Sequence, residues 1–329
     1  MKVLLTGATG FLGFRTLERL AELPSVVSII ATGRTLSETR KISHPKVKYI
    51  LGDLRDQYFV SSIFKEVDIV INTASLSSPW GSYSLFYSSN VLTQKNILKA
   101  SYENDIKKII YISTPSVYCN GKDRILVKES EPLPKYFANN YSATKREAEI
   151  LLENSGLNYI IIRPRAIIGR GDTVIMPRLI KAHAQGKLKI IGNGNNIVDL
   201  TSVNNVVESI LLSIYANESA LNQTYNITDD NPIDLWKAIN MVFEGIGKNS
   251  IHKKVNYNVA KSFASLLEKF SKLVTKKEPT LTKYSVDVLS KNFTLDITRA
   301  KQHLNYKPIS TTHQSILEFI EWFNGNYEN

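Results

Sequence analysis

The sequence predicts an α/β fold: a doubly wound parallel sheet with a smaller, mainly helical C-terminal substrate domain. Three observations carry that expectation. A short apolar run, 2–6, leads straight into glycines at positions 7, 10 and 13. Short aliphatic stretches then alternate with helical patterns as far as Arg163. Beyond Arg163 the pattern changes, first to turns and then to helices.

Residues 2–6 read as a buried strand, and 11–23 as a helix with Phe11, Phe14, Leu17 and Leu20 at helical spacing. Further buried strands are expected at 26–32, 47–51, 69–72, 108–113 and 158–163, with helices between them, notably 83–102 and 141–155. Such alternation implies a parallel sheet wound on both faces, with ligands at the carboxyl ends of the strands. The stretch 164–196 is rich in glycine turns, and helices dominate beyond Asp234. The expected division assigns 1–165 and 198–230 to a dinucleotide-binding Rossmann domain, and 166–197 with 231–329 to the substrate domain.

At 329 residues, with 43% hydrophobic and 22% charged content, the chain is of globular type and long enough for a large core. Cys119 is the only cysteine, so no intrachain disulfide or thiolate metal cluster is expected. The five histidines are scattered without ligand spacing, and no metal site is expected. Met1-Lys2 enters a strand directly, so neither a signal peptide nor a transmembrane run is expected. A reducing cytoplasm is the simplest location. Net charge is +11 with pI ≈ 9.4, and the stretch 252–284 holds eight lysines against two acids. Nothing resembles a nucleic-acid module.

Two groups of residues point to chemistry. In Gly7-Ala8-Thr9-Gly10-Phe11-Leu12-Gly13 the glycines allow a tight turn, close backbone approach to a pyrophosphate and close helix–strand packing. Free N–H groups at the start of the next helix then face the phosphates. Further on, Tyr141 and Lys145 stand four apart, on one helical face. A neighbouring ammonium lowers a phenol's pKa, so Tyr141 could exchange a proton with a carbonyl oxygen. At the end of the second strand an acid would favour NAD, but here stand Gly33-Arg34 with no acid before Glu38. A guanidinium suits a 2′-phosphate, which favours NADP(H), with NAD(H) as the alternative.

The glycine loop, Tyr141-Ser142-Ala143-Thr144-Lys145, Arg163-Pro164, Gly169-Arg170-Gly171-Asp172 and Asp199-Leu200-Thr201-Ser202-Val203 together resemble the extended short-chain dehydrogenase/reductase group, the epimerase/dehydratase superfamily. Ser113-Thr114-Pro115-Ser116-Val117 and Pro79-Trp80-Gly81 look most like its 3β-hydroxysteroid dehydrogenase branch. That branch includes sterol-4-carboxylate dehydrogenases and bacterial 2-alkyl-3-oxoalkanoate reductases. The resemblance implies that Thr114 orients the carbonyl and that Lys145 also reaches the nicotinamide ribose. It implies cofactor contacts from Asp53-Leu54 to the adenine, from Ala74 and Ser75 beneath the cofactor, and from Asn90 and Pro164. Cys119 replaces the glycine usual after Val117-Tyr118, which puts the local turn in question.

The expected function is hydride transfer to or from a secondary alcohol or ketone of an apolar substrate, a 3-oxo acid or a sterol-like molecule. Two alternatives are a nucleotide-sugar epimerase with tightly held NAD, and a cofactor-sensing protein without catalysis. Homodimers are common in the superfamily. Within 257–277, Val259, Phe263, Leu266, Leu267, Phe270, Leu273 and Val274 form an apolar stripe opposite Lys261, Lys269, Lys272 and Lys276. Such a stripe is expected to be buried over the chain's own substrate pocket. The alternative is a helix lying on an anionic membrane.

Overall fold

The computed structural model describes residues 1–327. Seven strands form one parallel sheet: β1 (Lys2–Thr6), β2 (Ser28–Thr32), β3 (Val47–Tyr49), β4 (Ile69–Asn72), β5 (Lys108–Ile112), β6 (Tyr159–Pro164) and β7 (Gln223–Ile227). Their spatial order is β3-β2-β1-β4-β5-β6-β7. The chain builds outward from β1 to β3, then crosses to β4 on the other side of β1. A crevice opens at such a switch point, outside the carboxyl ends of β1 and β4. Thr6 is in register with Asn72, so the chain leaves both strands side by side there.

Side chains alternate across the sheet. Val3, Leu5, Ile29 and Ile71 pack on one face with α1 (Phe11–Glu22) and α4 (Val203–Tyr215). Leu4, Val70, Ile109 and Ile161 pack on the other, with Ile97 of α2 and Ala148 and Leu152 of α3 (Asn140–Glu153). Helix α2 comprises three consecutive stretches, Tyr83–Phe86, Tyr87–Leu92 and Thr93–Glu103, the middle one a π turn. Lys108 of β5 is buried and donates to the carbonyls of Ser213, Ile214 and Ala216, closing the open end of α4.

A smaller mixed sheet joins Ile233–Asp234, Ile197–Val198, Phe293–Leu295 and Arg124–Val127, so a strand from the first half of the chain pairs with the C-terminal part. Beside it Val198, Ala238, Val242, Ile316 and Phe319 form a separate core.

One expectation is corrected here. The apolar stripe of α5 (Tyr257–Phe270) and the turn after it is not buried: Phe263 is 54%, Leu266 64% and Leu273 81% exposed. The helix instead buries Ala260 and Ala264 against Ile191 and Val286. The small side chains lie one residue, about 100°, round the helix from the stripe and permit close packing, which turns the large residues outward. Among the described residues, no helix is long and apolar enough to cross a membrane.

Candidate active site

The glycine loop turns out of β1 at the switch point. Gly7 has φ +69°, and a Cβ there would come within 2.7 Å of the Ala74 amide nitrogen. A Cβ on Gly13 would stand 2.0 Å from the Gly7 carbonyl oxygen, so α1 reaches the loop only with glycine at this position. Gly10 faces outward and meets little but the Gly7 oxygen at 3.2 Å, which leaves its surface open. No side chain caps the first turn of α1, so the helix-start amides at Phe11, Leu12 and Gly13 are available to an anion. A dinucleotide's pyrophosphate fits such a cradle.

Around the loop stand the adenosine-side residues. Arg34 is exposed just beyond Gly33, where a Cβ would lie 2.3 Å from the Thr9 hydroxyl. Asp53 accepts from Arg55 Nη2 at 2.5 Å, and this bond leads the effects that hold its pKa below the usual range; the Arg34 charge adds a smaller pull. The Leu54 side chain is buried in the core, and its carbonyl accepts from Asn96 Nδ2 at 2.9 Å. Arg40, which nothing in the sequence singled out, donates to the carbonyl oxygens of Thr9 and Gly171 at 3.2 Å each. It thereby ties the glycine loop to the segment after β6.

The loop after β4 carries Ala74 and Ser75. Asn90 holds it: its Oδ1 accepts from the Leu76 amide at 2.8 Å and the Ser75 hydroxyl at 3.3 Å. Asn90 Nδ2 donates to Thr144 Oγ1 at 3.1 Å, which joins this loop to α3 between Tyr141 and Lys145. The Asn90 side chain therefore positions the loop through its own bonds to protein. Its place inside the chain's π turn fits the frequent location of such turns at functional sites.

Helix α3 starts where the sequence dictates: Asn139 accepts from the Ser142 amide at 2.8 Å in a capping box. Tyr141 in its first turn is largely buried. Burial pushes the phenol pKa up, and the hydroxyls of Ser77, Thr114 and Ser75 around it pull it down. Thr114, at the end of β5, is 6% exposed. Its hydroxyl accepts from the Ser116 amide at 3.1 Å and donates to Ser116 Oγ at 3.0 Å. Cys119 ends this turn at φ −67°, a conformation any residue adopts, so the missing glycine leaves the turn intact.

Lys145 is 1% exposed. Its Nζ donates to the Ile112 carbonyl at 2.6 Å and stands 4.0 Å from the centre of the Tyr111 ring. Burial lowers its pKa to about 7, with the Glu149 charge opposing. The amine touches Ile112 and the Tyr111 ring. As an ammonium it keeps two protons for other acceptors, as a cofactor ribose requires. Beneath it Glu149 forms a two-bond pair with Arg163, at 2.8 and 2.6 Å, and Arg163 Nη1 reaches Tyr118 Oη at 2.5 Å. Breaking one partner of such a buried pair costs roughly 3–5 kcal/mol, so this network fixes α3 on β6. Pro164 closes β6 opposite Ile227.

Comparison with known proteins agrees with this geometry. Residues 3–228 match the model of the NAD dependent epimerase/dehydratase family. The chain is 34% identical to "3beta-hydroxysteroid-dehydrogenase/decarboxylase isoform 1" of Arabidopsis thaliana, covering 93% of this chain and 73% of that protein. It is 28% identical to a "2-alkyl-3-oxoalkanoate reductase" of Shewanella oneidensis, covering 94% and 83%. The fold matches that of UDP-glucuronic acid 4-epimerase from Bacillus cereus, with TM-score 0.77 and 20% identity over 99% of this chain and 100% of that one. With its glycine cradle at the switch point and Tyr141, Lys145 and Thr114 beside it, the chain belongs to the NAD dependent epimerase/dehydratase family.

Proposed function

We propose that this chain is an NADP(H)-dependent oxidoreductase acting on a secondary alcohol or ketone of an apolar substrate, a 3-oxo acid or sterol-like molecule. The observation that carries the reading is that Asn90 ties the helix of Tyr141 and Lys145 to the Ser75 loop, which packs against Gly7 of the glycine cradle, with the Thr114, Ser75 and Ser77 hydroxyls acting on Tyr141. A bound nicotinamide cofactor supplies or accepts the hydride. Tyr141 gives its proton to the carbonyl oxygen as the carbon is reduced, and takes it back in the reverse direction. Burial raises its pKa, and the hydroxyls of Ser77, Thr114 and Ser75 oppose that rise, so the phenol carries its proton at neutral pH. Thr114 holds the same oxygen, and Lys145 holds the ribose. Ala74 and Ser75 line the cofactor floor, which Asn90 keeps in place, and Pro164 borders the nicotinamide end.

Supporting this over the epimerase and dehydratase relatives, Pro115 and Ser116 follow Thr114, and Ser116 is bonded to Tyr284 at 2.8 Å. No carboxylate stands at these positions to assist an elimination. The four-hydroxyl cluster also exceeds what a cofactor sensor needs. Tyr141→Phe should lower turnover by about 10²–10⁴-fold while cofactor binding, followed by fluorescence titration, is kept. Unchanged turnover would overturn the mechanism.

Arg34 supports the preference for the 2′-phosphate. Arg34→Ala should raise KM for NADPH by roughly 10-fold or more, as losing a hydrogen bond to a charged group implies, and leave KM for NADH little changed. Equal effects on both cofactors would remove Arg34 from phosphate recognition.

The exposed stripe of α5 supports a second element of the reading: contact with an anionic membrane that holds the apolar substrate. Lys269, Lys272, Lys276 and Lys277 share this helix and turn with the stripe and give the segment its positive charge. Lys272 Nζ stands 5.9 Å from the Trp80 ring centre, on the same loop that brings Ser75 and Ser77 to Tyr141.

A further inference from the structure

A buried charge lies outside the catalytic set. Arg165 is 6% exposed, its Nε has no hydrogen-bond partner, and among the described residues no carboxylate forms a salt bridge with it, although its charge reaches the buried Asp199 carboxylate. One face of the guanidinium is covered by the Phe293 ring, 4.5 Å away. A guanidinium withdrawn from water without a bonded carboxylate is costly, and an anionic ligand that bonds to it would offset that cost.

The surroundings say which ligand. Arg165 lines a small cavity with Cys119, Ala138, Tyr284, Val288 and Phe293, of about 20 Å³, room for a water-sized group. Lys122 and Lys291 also border it. Asp287 does too, but its carboxylate is held by Lys261 and by Tyr257 at 3.0 Å. The cavity is therefore electropositive and partly apolar. Arg165, Tyr284 and Cys119 all line the cavity. Tyr284 Oη is 2.8 Å from Ser116 Oγ, which accepts from Thr114 at 3.0 Å. The cavity thus begins two hydrogen bonds from the hydroxyl that holds the substrate carbonyl.

We propose that Arg165, with Tyr284, receives the substrate's carboxylate, so that the chain selects acids whose reacting carbon lies a few bonds from the carboxyl, 3-oxo acids and their 3-hydroxy counterparts. The cavity admits one carboxylate oxygen, which the guanidinium and the Tyr284 hydroxyl can both meet as donors. This rests on the hydride-transfer reading above, and the residue acts in specificity, since Tyr141 and Thr114 carry the chemistry.

The test compares 3-hydroxydodecanoate with its methyl ester, both oxidised with NADP+. The native chain should prefer the acid by at least about 10-fold in kcat/KM, in line with a charged hydrogen bond. Arg165→Met should erase that preference through KM for the acid and leave ester turnover unchanged, which also reports that the variant is folded. Arg165→Lys should restore part of the acid preference. Equal loss on acid and ester, a native chain indifferent to the carboxylate, or a raised KM for cofactor alone would overturn the proposal. If neither compound is turned over, the hydride reading fails on its own. Thermal-shift binding of dodecanoate then decides the anion site: stabilisation of the native chain but not of Arg165→Met supports it, and equal shifts overturn it.

Discussion

Lys145 shows how one buried residue ties stability to pH. Burial lowers its pKa from 10.5 to about 7, with Glu149 opposing. Below about pH 7 both folded and unfolded chains carry the ammonium, and the folded state bears the full penalty of burying it. Between pH 7 and 10.5 the unfolded chain holds a proton that the folded chain has released, so this group's contribution to stability rises with pH. Lys145→Met removes the penalty, and it also removes the bond to Ile112, a loss felt at every pH. In cofactor-free protein the change in unfolding free energy caused by the substitution should therefore be more favourable at pH 6 than at pH 9.5. Denaturant titration at both values checks it; an identical change at both would mean that the amine is not perturbed. Four-residue spacing places Tyr141 and Lys145 on one face of α3, where the Lys145 amine bonds to the Ile112 carbonyl and stands over the Tyr111 ring.

At the scale of elements, what was legible depended on whether the signal was local. Strands 2–6 and 69–72 are visible as apolar runs because a parallel strand is buried on both faces, and both match β1 and β4. The start of α3 is legible in the Asn139 cap, and the glycine loop in its spacing. The π turn at Tyr87–Leu92 is not legible, because it adds a residue to a helical turn without disturbing the apolar pattern around it. Yet that turn carries Asn90, which secures the loop under the cofactor. Arg40 and Arg165 escaped for a different reason. Each lies in a turn or at a strand end with no periodicity, and its importance arises from partners more than a hundred residues away, Gly171 for Arg40 and Tyr284 and Phe293 for Arg165. The strand Arg124–Val127 was missed likewise, since it pairs with Phe293–Leu295.

At the scale of the whole molecule, the unresolved balance lies between a catalytic crevice that is polar and a surface that is partly greasy. Six large apolar side chains, Val259, Phe263, Leu266, Phe270, Leu273 and Val274, are each more than half exposed along α5 and the turn after it. A contiguous exposed apolar face of this kind marks a contact surface. The lysines of the same segment favour a surface of opposite charge, and the Lys272–Trp80 contact puts the segment against the loop that leads to Tyr141. An apolar substrate could then pass from bilayer to crevice without crossing bulk water. Leu266→Gln with Phe270→Gln should abolish sedimentation with vesicles of phosphatidylcholine and phosphatidylserine, because both side chains are already exposed and contribute little to the fold. Turnover of a short, water-soluble substrate should be unchanged, since neither residue reaches the hydroxyl cluster. Binding of the native chain should also weaken as salt is raised, because screening acts on the lysine component. Native protein that ignores the vesicles at low salt would assign the stripe to another contact, and loss of turnover on the soluble substrate would assign it to the crevice itself.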